Sequence, residues 1–208
     1  MANLLRTKEK KFYLMKKLNG KLKYNIAVFI SGKGSNLKSI IKYSLKKEAS
    51  YKVKVVISNK RNVKGLLIAK KNNIKRFCID FTQSKNLGNK VLRILKKENI
   101  KLICLAGFMK ILPAYFIKLY RGKIINIHPS LLPKYKGLNT HKRAIMNNEK
   151  FAGCTVHYVN RFLDSGKIIS QGKVKITKKD NDKSIEKKVL RIEHSIYPKT
   201  IDRILSTL

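Results

Sequence analysis

Long apolar runs are missing from this sequence: none approaches the roughly 20 residues that a membrane span requires, so no membrane partner is expected. Acidic residues are scarce, 11 against 49 Lys and Arg in 208 residues, for a net charge of +38. Cysteine is limited to Cys78, Cys104 and Cys154, an odd set without metal-ligand spacing. Cys78 and Cys104 fall inside apolar, strand-like runs, which predicts buried, reduced thiols and a cytoplasmic setting rather than a disulfide framework or a zinc site. Pro/Ser-rich linkers, low-complexity tracts and internal repeats are also absent, so residues 24–208 are expected to form one domain. Residues 1–23 are basic but carry no apolar stretch long enough for a secretory signal, and too little Ser and Arg for a transit peptide. They read as a basic, partly ordered extension with a short helix over Phe12–Leu18.

The positive charge raises the question of a nucleic-acid or anionic-membrane surface. Its composition argues otherwise. Nine of the 49 basic residues are Arg and 40 are Lys, whereas phosphate readers favour the planar fork of Arg. The lysines run along the whole chain instead of gathering into one stripe with interleaved aromatics. With abundant Ile and Asn beside them, they fit a compositional drift toward A/T-rich codons, and no specific nucleic-acid partner is expected.

What is present is an alternation. Tyr24–Ile30 is a short, nearly continuous apolar run, as in a strand buried on both faces. It leads into Ser31-Gly32-Lys33-Gly34-Ser35-Asn36 and then an apolar-periodic helix through Leu37, Ile40, Ile41 and Leu45. A strand, a glycine-rich turn and a helix aim free backbone N–H groups at a phosphate. The third glycine of a dinucleotide fingerprint and the Lys-Ser/Thr ending of a P-loop are both lacking, which points to a single phosphate. Strands follow at Val53–Ile57, Arg76–Ile79 and Leu102–Ala106, with helices at Val63–Lys71, after a cap at Ser84, and near Ala114–Tyr120. A fifth strand ends at His128; past it come a helix near His141–Asn147, strands at Cys154–Val159 and Lys167–Ile176, the second an edge strand by its lysines, and a last helix with a stripe of Ile185, Val189, Ile192 and Ile196. The pattern predicts an α/β fold with a doubly wound, mostly parallel sheet flanked by helices.

The stretch Ile124-Ile125-Asn126-Ile127-His128-Pro129 stands at the carboxyl end of a strand, where open α/β sheets bind ligands. A side-chain period of two puts Asn126 and His128 on one side, and Pro129 and Pro133 end the strand. Asn can donate to a developing oxyanion, and His can carry a proton near neutral pH. A carboxylate close to His128 would favour its charged form, and the sequence Leu163-Asp164-Ser165-Gly166 signals a turn further along the chain. His157 on a strand and His141 on a helix are weaker candidates, and His157 reads mainly as structural.

The loop SGKGSN, the runs LAGFMKIL and INIHPSLLPKYKGLNTH, the segment GCTVHYVNRFLDSGKIISQ and the late IEHSIYP together resemble the phosphoribosylglycinamide formyltransferases, folate-dependent enzymes of purine synthesis. The resemblance spans roughly Tyr24–Leu205. It implies a mononucleotide-binding amino-terminal half, a carboxyl-terminal half completing a folate cleft, and transfer of the formyl group of 10-formyltetrahydrofolate to the amine of a ribonucleotide. By matching position it makes Asn126, His128 and Asp164 catalytic, places Gly34, Ser35, Asn36 and Glu193 at the ribonucleotide, and lines the folate cleft with Lys85, Met109, Lys110, Ile111, Leu112, Asn126, Asn160, Arg161, Phe162, Leu163 and Asp164. Lys85 stands where the family often has Arg, keeping the charge but losing a bidentate fork. Asn160-Arg161-Phe162 replaces a more acidic stretch. The family's terminal strand or tail is not found before Leu208. The resemblance implies small-molecule partners, a monomer or weak homodimer, and no metal.

Two relatives with the same catalytic domain offer alternatives. Methionyl-tRNA formyltransferase would suit a basic protein but resembles the first turn less and carries a further domain. Formyltetrahydrofolate deformylase has a second His where Pro129 stands. A basic nucleic-acid-binding protein on a decayed scaffold is the non-enzyme alternative, against which an intact Asn126, His128 and Asp164 argue.

Overall fold

A computed structural model describes residues 23–79 and 85–208, with the side chains of residues 85–87 outside the description. The helix expected over Phe12–Leu18, the Ser84 cap and the Lys85 side chain therefore lie outside the described residues. The elements run β1 (Tyr24–Ile30), α1 (Ser35–Ser44), β2 (Tyr51–Ser58), α2 (Lys64–Lys71), β3 (Lys75–Cys78), α3 (Lys85–Lys97), β4 (Ile100–Leu105), α4 (Ala114–Leu119), β5 (Lys123–His128), α5 (Thr140–Met146), β6 (Phe151–Tyr158), β7 (Ile168–Lys175) and α6 (Asp182–Ser206). They form one seven-stranded sheet in the order β3-β2-β1-β4-β5-β6-β7. The first five strands are parallel, while β6 and β7 return antiparallel. This is the mostly parallel, helix-flanked α/β sheet the alternation predicts.

From Ile26 in β1 and Leu102 in β4 onward the strands are apolar and buried because helices cover both faces, while Asn25 and the exposed Lys101 stand at their amino ends. One face packs Leu37, Ile40 and Ile41 of α1 and Ile185, Val189 and Ile201 of α6 against Ile26, Val28 and Ile30. The other packs Val91 and Leu95 of α3 and Phe116 of α4 against Ala27, Phe29 and Ile103. Helix α6 starts in a capping box, Asn181 accepting the Ser184 N–H while Ser184 accepts the Asn181 N–H. It continues through Pro198 for two further turns, because Tyr197, Ile201, Ile204 and Leu205 extend the buried stripe past the proline.

One expectation fails. Cys78 is exposed, while Cys104 and Cys154 are buried. β3 is short and lies at the sheet edge, where Phe77 rather than Cys78 turns to the apolar layer.

Sheet order reverses direction between β1 and β4, and the loops leaving their carboxyl ends face each other across that crevice. Ser31 ties them: its N–H donates to the Gly107 carbonyl at 3.1 Å, and its Oγ accepts the Met109 N–H at 2.7 Å. β5, the next strand over, delivers Asn126 and His128 to the same end.

Candidate active site

The amino-terminal side of the site is built on glycine. Gly34 caps α1 with φ +74°, a left-handed conformation that L side chains adopt at a cost. A Cβ there would also lie 2.7 Å from Gly65 Cα of α2. The turn is thus pressed against α2, with the α1 amino terminus free of any side-chain cap and its N–H groups available to an anion. Asn36, one residue inside α1, donates to Glu193 of α6 at 2.6 Å. Its own Oδ1 is buried without a hydrogen-bond partner, a cost a bound donor would relieve. Burial pushes the Glu193 carboxyl up to about 7, with the Asn36 bond pulling it down and Glu186 pushing it up. Gly34, Ser35 and Asn36 are thus joined at the α1 terminus by Glu193, 157 positions beyond Asn36 in the chain.

The second cluster forms where β5 meets its antiparallel neighbour. Register pairs Asn126 with His157 and His128 with Thr155, so Asn126 Nδ2 and His157 Nε2 stand 3.3 Å apart. The loop after β6 folds back over this face. Gly166 permits the fold, because a Cβ would sit 1.6 Å from the Tyr158 carbonyl oxygen. Asp164 then lies 3.4 Å from His128 Nδ1 through Oδ2 and 3.7 Å from His157 Nε2 through Oδ1. The Gly137 N–H donates to Asp164 Oδ2 at 2.9 Å. His128 Nε2 meets the Tyr135 carbonyl at 2.9 Å, and His157 Nδ1 meets the Tyr158 carbonyl at 2.9 Å. His128, His157 and Asp164 are all buried.

The electrostatics correct one expectation. His128 is held below its ordinary value, not raised, because burial outweighs the favourable Tyr135 carbonyl and the Asp164 charge; His157 and Arg143 push the same way as burial. Geometry still marks where a proton can go. Both ring nitrogens face oxygen atoms, so the imidazolium can donate at both ends while a neutral ring can satisfy one. For Asp164, burial raises the carboxyl, but the His157 and Gly137 hydrogen bonds and the two nearby histidines hold it below the usual carboxylate value. The arrangement is a buried carboxylate, an imidazole poised to take or give a proton, and an amide beside it: components for stabilising negative charge on oxygen while moving a proton.

The remaining expected positions sit on two exposed loops. Met109, Ile111, Phe162 and Leu163 are exposed apolar side chains, and Leu112 is buried. Lys110, Asn160 and Arg161 are exposed, with the Arg161 guanidinium 4.6 Å from the Phe162 ring centroid. The second of these loops also carries Asp164, which reaches the His128 imidazole. A cavity of about 560 Å³ lies behind the loop after His128, lined by Pro129, Leu131, Tyr135, His141 and Phe151 among others. Two residues at the centre carry no signal in the sequence: Tyr135 and Gly137 act through backbone atoms, which leave no mark of residue type. His157, a weaker candidate by sequence that reads mainly as structural, stands at the centre of the cluster. The antiparallel β5–β6 register is what would have paired His157 with Asn126.

This fold and this cluster define a class, and comparison with known proteins gives the same one. The sequence profile of the formyl transferase family matches residues 24–201, and the chain belongs to that family. It is 41% identical over 179 residues to the phosphoribosylglycinamide formyltransferase of Haemophilus influenzae, covering 85% of this chain and 84% of the relative. It is 38% identical over 195 residues to the trifunctional purine biosynthetic protein adenosine-3 of Gallus gallus, covering 91% of this chain but 19% of that protein. The chain thus spans about a fifth of the trifunctional relative and most of the single-function one. Among solved structures, the phosphoribosylglycinamide formyltransferase of Anaplasma phagocytophilum superposes with a TM-score of 0.83 at 40% identity, over 88% of this chain and 87% of that one.

Proposed function

We propose that this protein transfers the formyl group of 10-formyltetrahydrofolate to the amine of N1-(5-phosphoribosyl)glycinamide, a step of purine synthesis. The observation that carries the reading is the convergence of Asn126, His128 and Asp164, residues from one strand end and a distant loop, in a chain of the formyl transferase family. The residues fit both substrates. Exposed apolar Met109, Ile111 and Phe162 suit the flat ring of a folate, and the uncapped α1 terminus with the unpartnered Asn36 Oδ1 suits a phosphorylated sugar bearing hydroxyl and amide donors.

The folate supplies an activated formyl group; the protein supplies charge and proton control. The incoming amine forms a C–N bond to the formyl carbon, the bond to the folate nitrogen breaks, and one proton passes from the former nitrogen to the latter. Asn126 donates to the formyl oxygen as negative charge builds there. His128, between the Tyr135 carbonyl and Asp164, becomes charged as it takes up the proton of the incoming amine, adds to that stabilisation and hands the proton on. Asp164 offsets the imidazolium charge, which burial alone disfavours. Glu193, poised near neutrality by burial, accepts a hydrogen bond from the ribonucleotide. No nucleic acid is required as acceptor.

The test is formyl transfer from 10-formyltetrahydrofolate with glycinamide ribonucleotide, initiator methionyl-tRNA and water compared as acceptors. Turnover confined to the ribonucleotide is expected. Preference for the tRNA or for water would overturn the reading in favour of another enzyme of the same family.

A further inference from the structure

The segment 134–138 holds both ionisable members of the site from one side. The Tyr135 carbonyl accepts from His128, and two residues on the Gly137 N–H donates to Asp164. Tyr135 and Gly137 both have positive φ, +56° and +78°; for a tyrosine this is a sparsely populated conformation that persists where its surroundings enforce it. Those surroundings come from α5 and the turn after it. Tyr135 Oη donates to Glu149 Oε1 at 2.8 Å. Arg143 places its guanidinium carbon 5.1 Å from the Tyr135 ring centroid and donates from Nη1 to the Lys136 carbonyl at 2.7 Å and the Leu138 carbonyl at 3.4 Å.

We infer that Arg143 and Glu149 are positioning residues, which fix the Tyr135–Gly137 backbone so that its carbonyl meets His128 and its N–H meets Asp164. The inference rests on the reading of His128 and Asp164 as the acting pair. Arg143 is exposed and Glu149 half-buried, and polar contacts at such positions contribute little to global stability. Their effect is concentrated on a loop whose displacement would misplace both groups at once, and small misplacements of acting groups are costly to rate. The charged and titratable groups around His128 are Asp164 from the loop after β6, His157 from β6, and His141 and Arg143 from α5; Asp182 and Glu186 of α6 act on His141.

The test compares Tyr135→Phe, Glu149→Gln, Arg143→Gln and the Tyr135→Phe/Glu149→Gln pair. Each single variant should lose about 10-fold in kcat with KM for both substrates within about twofold, because the change is felt by the reacting groups rather than by ground-state binding. The pair should fall no further than Glu149→Gln alone, since Glu149 also accepts from Lys134 Nζ at 2.7 Å and its change already includes the Tyr135 tether. His128 should titrate at lower pH in Tyr135→Phe, Glu149→Gln and the pair, because the Tyr135 carbonyl favours its charged form, as an NMR titration of the substrate-free protein reads directly; Arg143→Gln also removes a positive charge that disfavours that form and is read by rate alone. Additive losses in the pair, or an unmoved His128 midpoint in Tyr135→Phe, would overturn the inference. The NMR result decides it even if the chain fails to transfer a formyl group. Normal wild-type transfer with unaffected variants would defeat the positioning role and leave the proposed function standing.

Discussion

The parallel half of the sheet and its antiparallel corner bury different things. Around β1 and β4 the interior is Ile, Val, Leu and Phe, with Ile26, Val28, Phe29 and Ile103 fully enclosed. Around β5 and β6 the same sheet encloses His128 and His157, each within ion-pair range of the buried Asp164. The first region needs volume and shape; the second tolerates desolvated polar groups because each finds a partner. The scarce carboxylates follow the same rule. Glu98, Glu149, Asp164, Asp180, Glu193 and Asp202 each accept a specific hydrogen bond.

The contrast predicts separable failures. Phe29→Ala, in the parallel half, should cost about 3–5 kcal/mol of stability through the cavity it opens, read as a lower midpoint in urea unfolding. Asn126→Ala, in the corner, should lose about 10²–10³-fold in transfer rate while its unfolding midpoint stays close to the wild type. If Asn126→Ala unfolded the protein as Phe29→Ala does, the corner would be structural and the contrast false.

A smaller effect sharpens the border between the halves, where Glu193 of α6 meets Asn36 of α1. Burial raises this carboxyl from 4.5 to about 7, so the folded state keeps a proton that the unfolded chain releases. Stability must then fall as pH rises from about 4.5 to about 7 and level off above. Glu193→Gln retains an oxygen for the Asn36 amide but cannot ionise, and should remove that slope, worth on the order of 3 kcal/mol at most. Urea unfolding at several pH values measures it; parallel curves for the two proteins would show that Glu193 titrates normally in the fold.

The two halves also differed in how far residue pattern revealed them. Continuous apolar runs at Tyr24–Ile30 and Leu102–Ala106 betray parallel strands because burial on both faces imposes that composition locally. Asn126 and His128 could be placed on one side of a strand end by period alone. Their partners could not. Asp164 and Glu193 came from matched family motifs, since no local rule says that a loop after β6 folds back over β5 or that α6 crosses α1. His157 was undervalued because antiparallel register is a tertiary fact. Tyr135 and Gly137 contribute backbone atoms, which every residue carries. The sign of the His128 shift was misjudged for the same reason: the Asp164 charge was inferable, the enclosure that outweighs it was not.

The central claim is that His128, paired with Asp164, performs the proton and charge work of formyl transfer. Steady-state transfer to glycinamide ribonucleotide by His128→Ala beside the wild type tests it most directly. A loss of about 10²–10⁴-fold with an unchanged unfolding midpoint is the predicted result. Transfer at the wild-type rate by His128→Ala would contradict it.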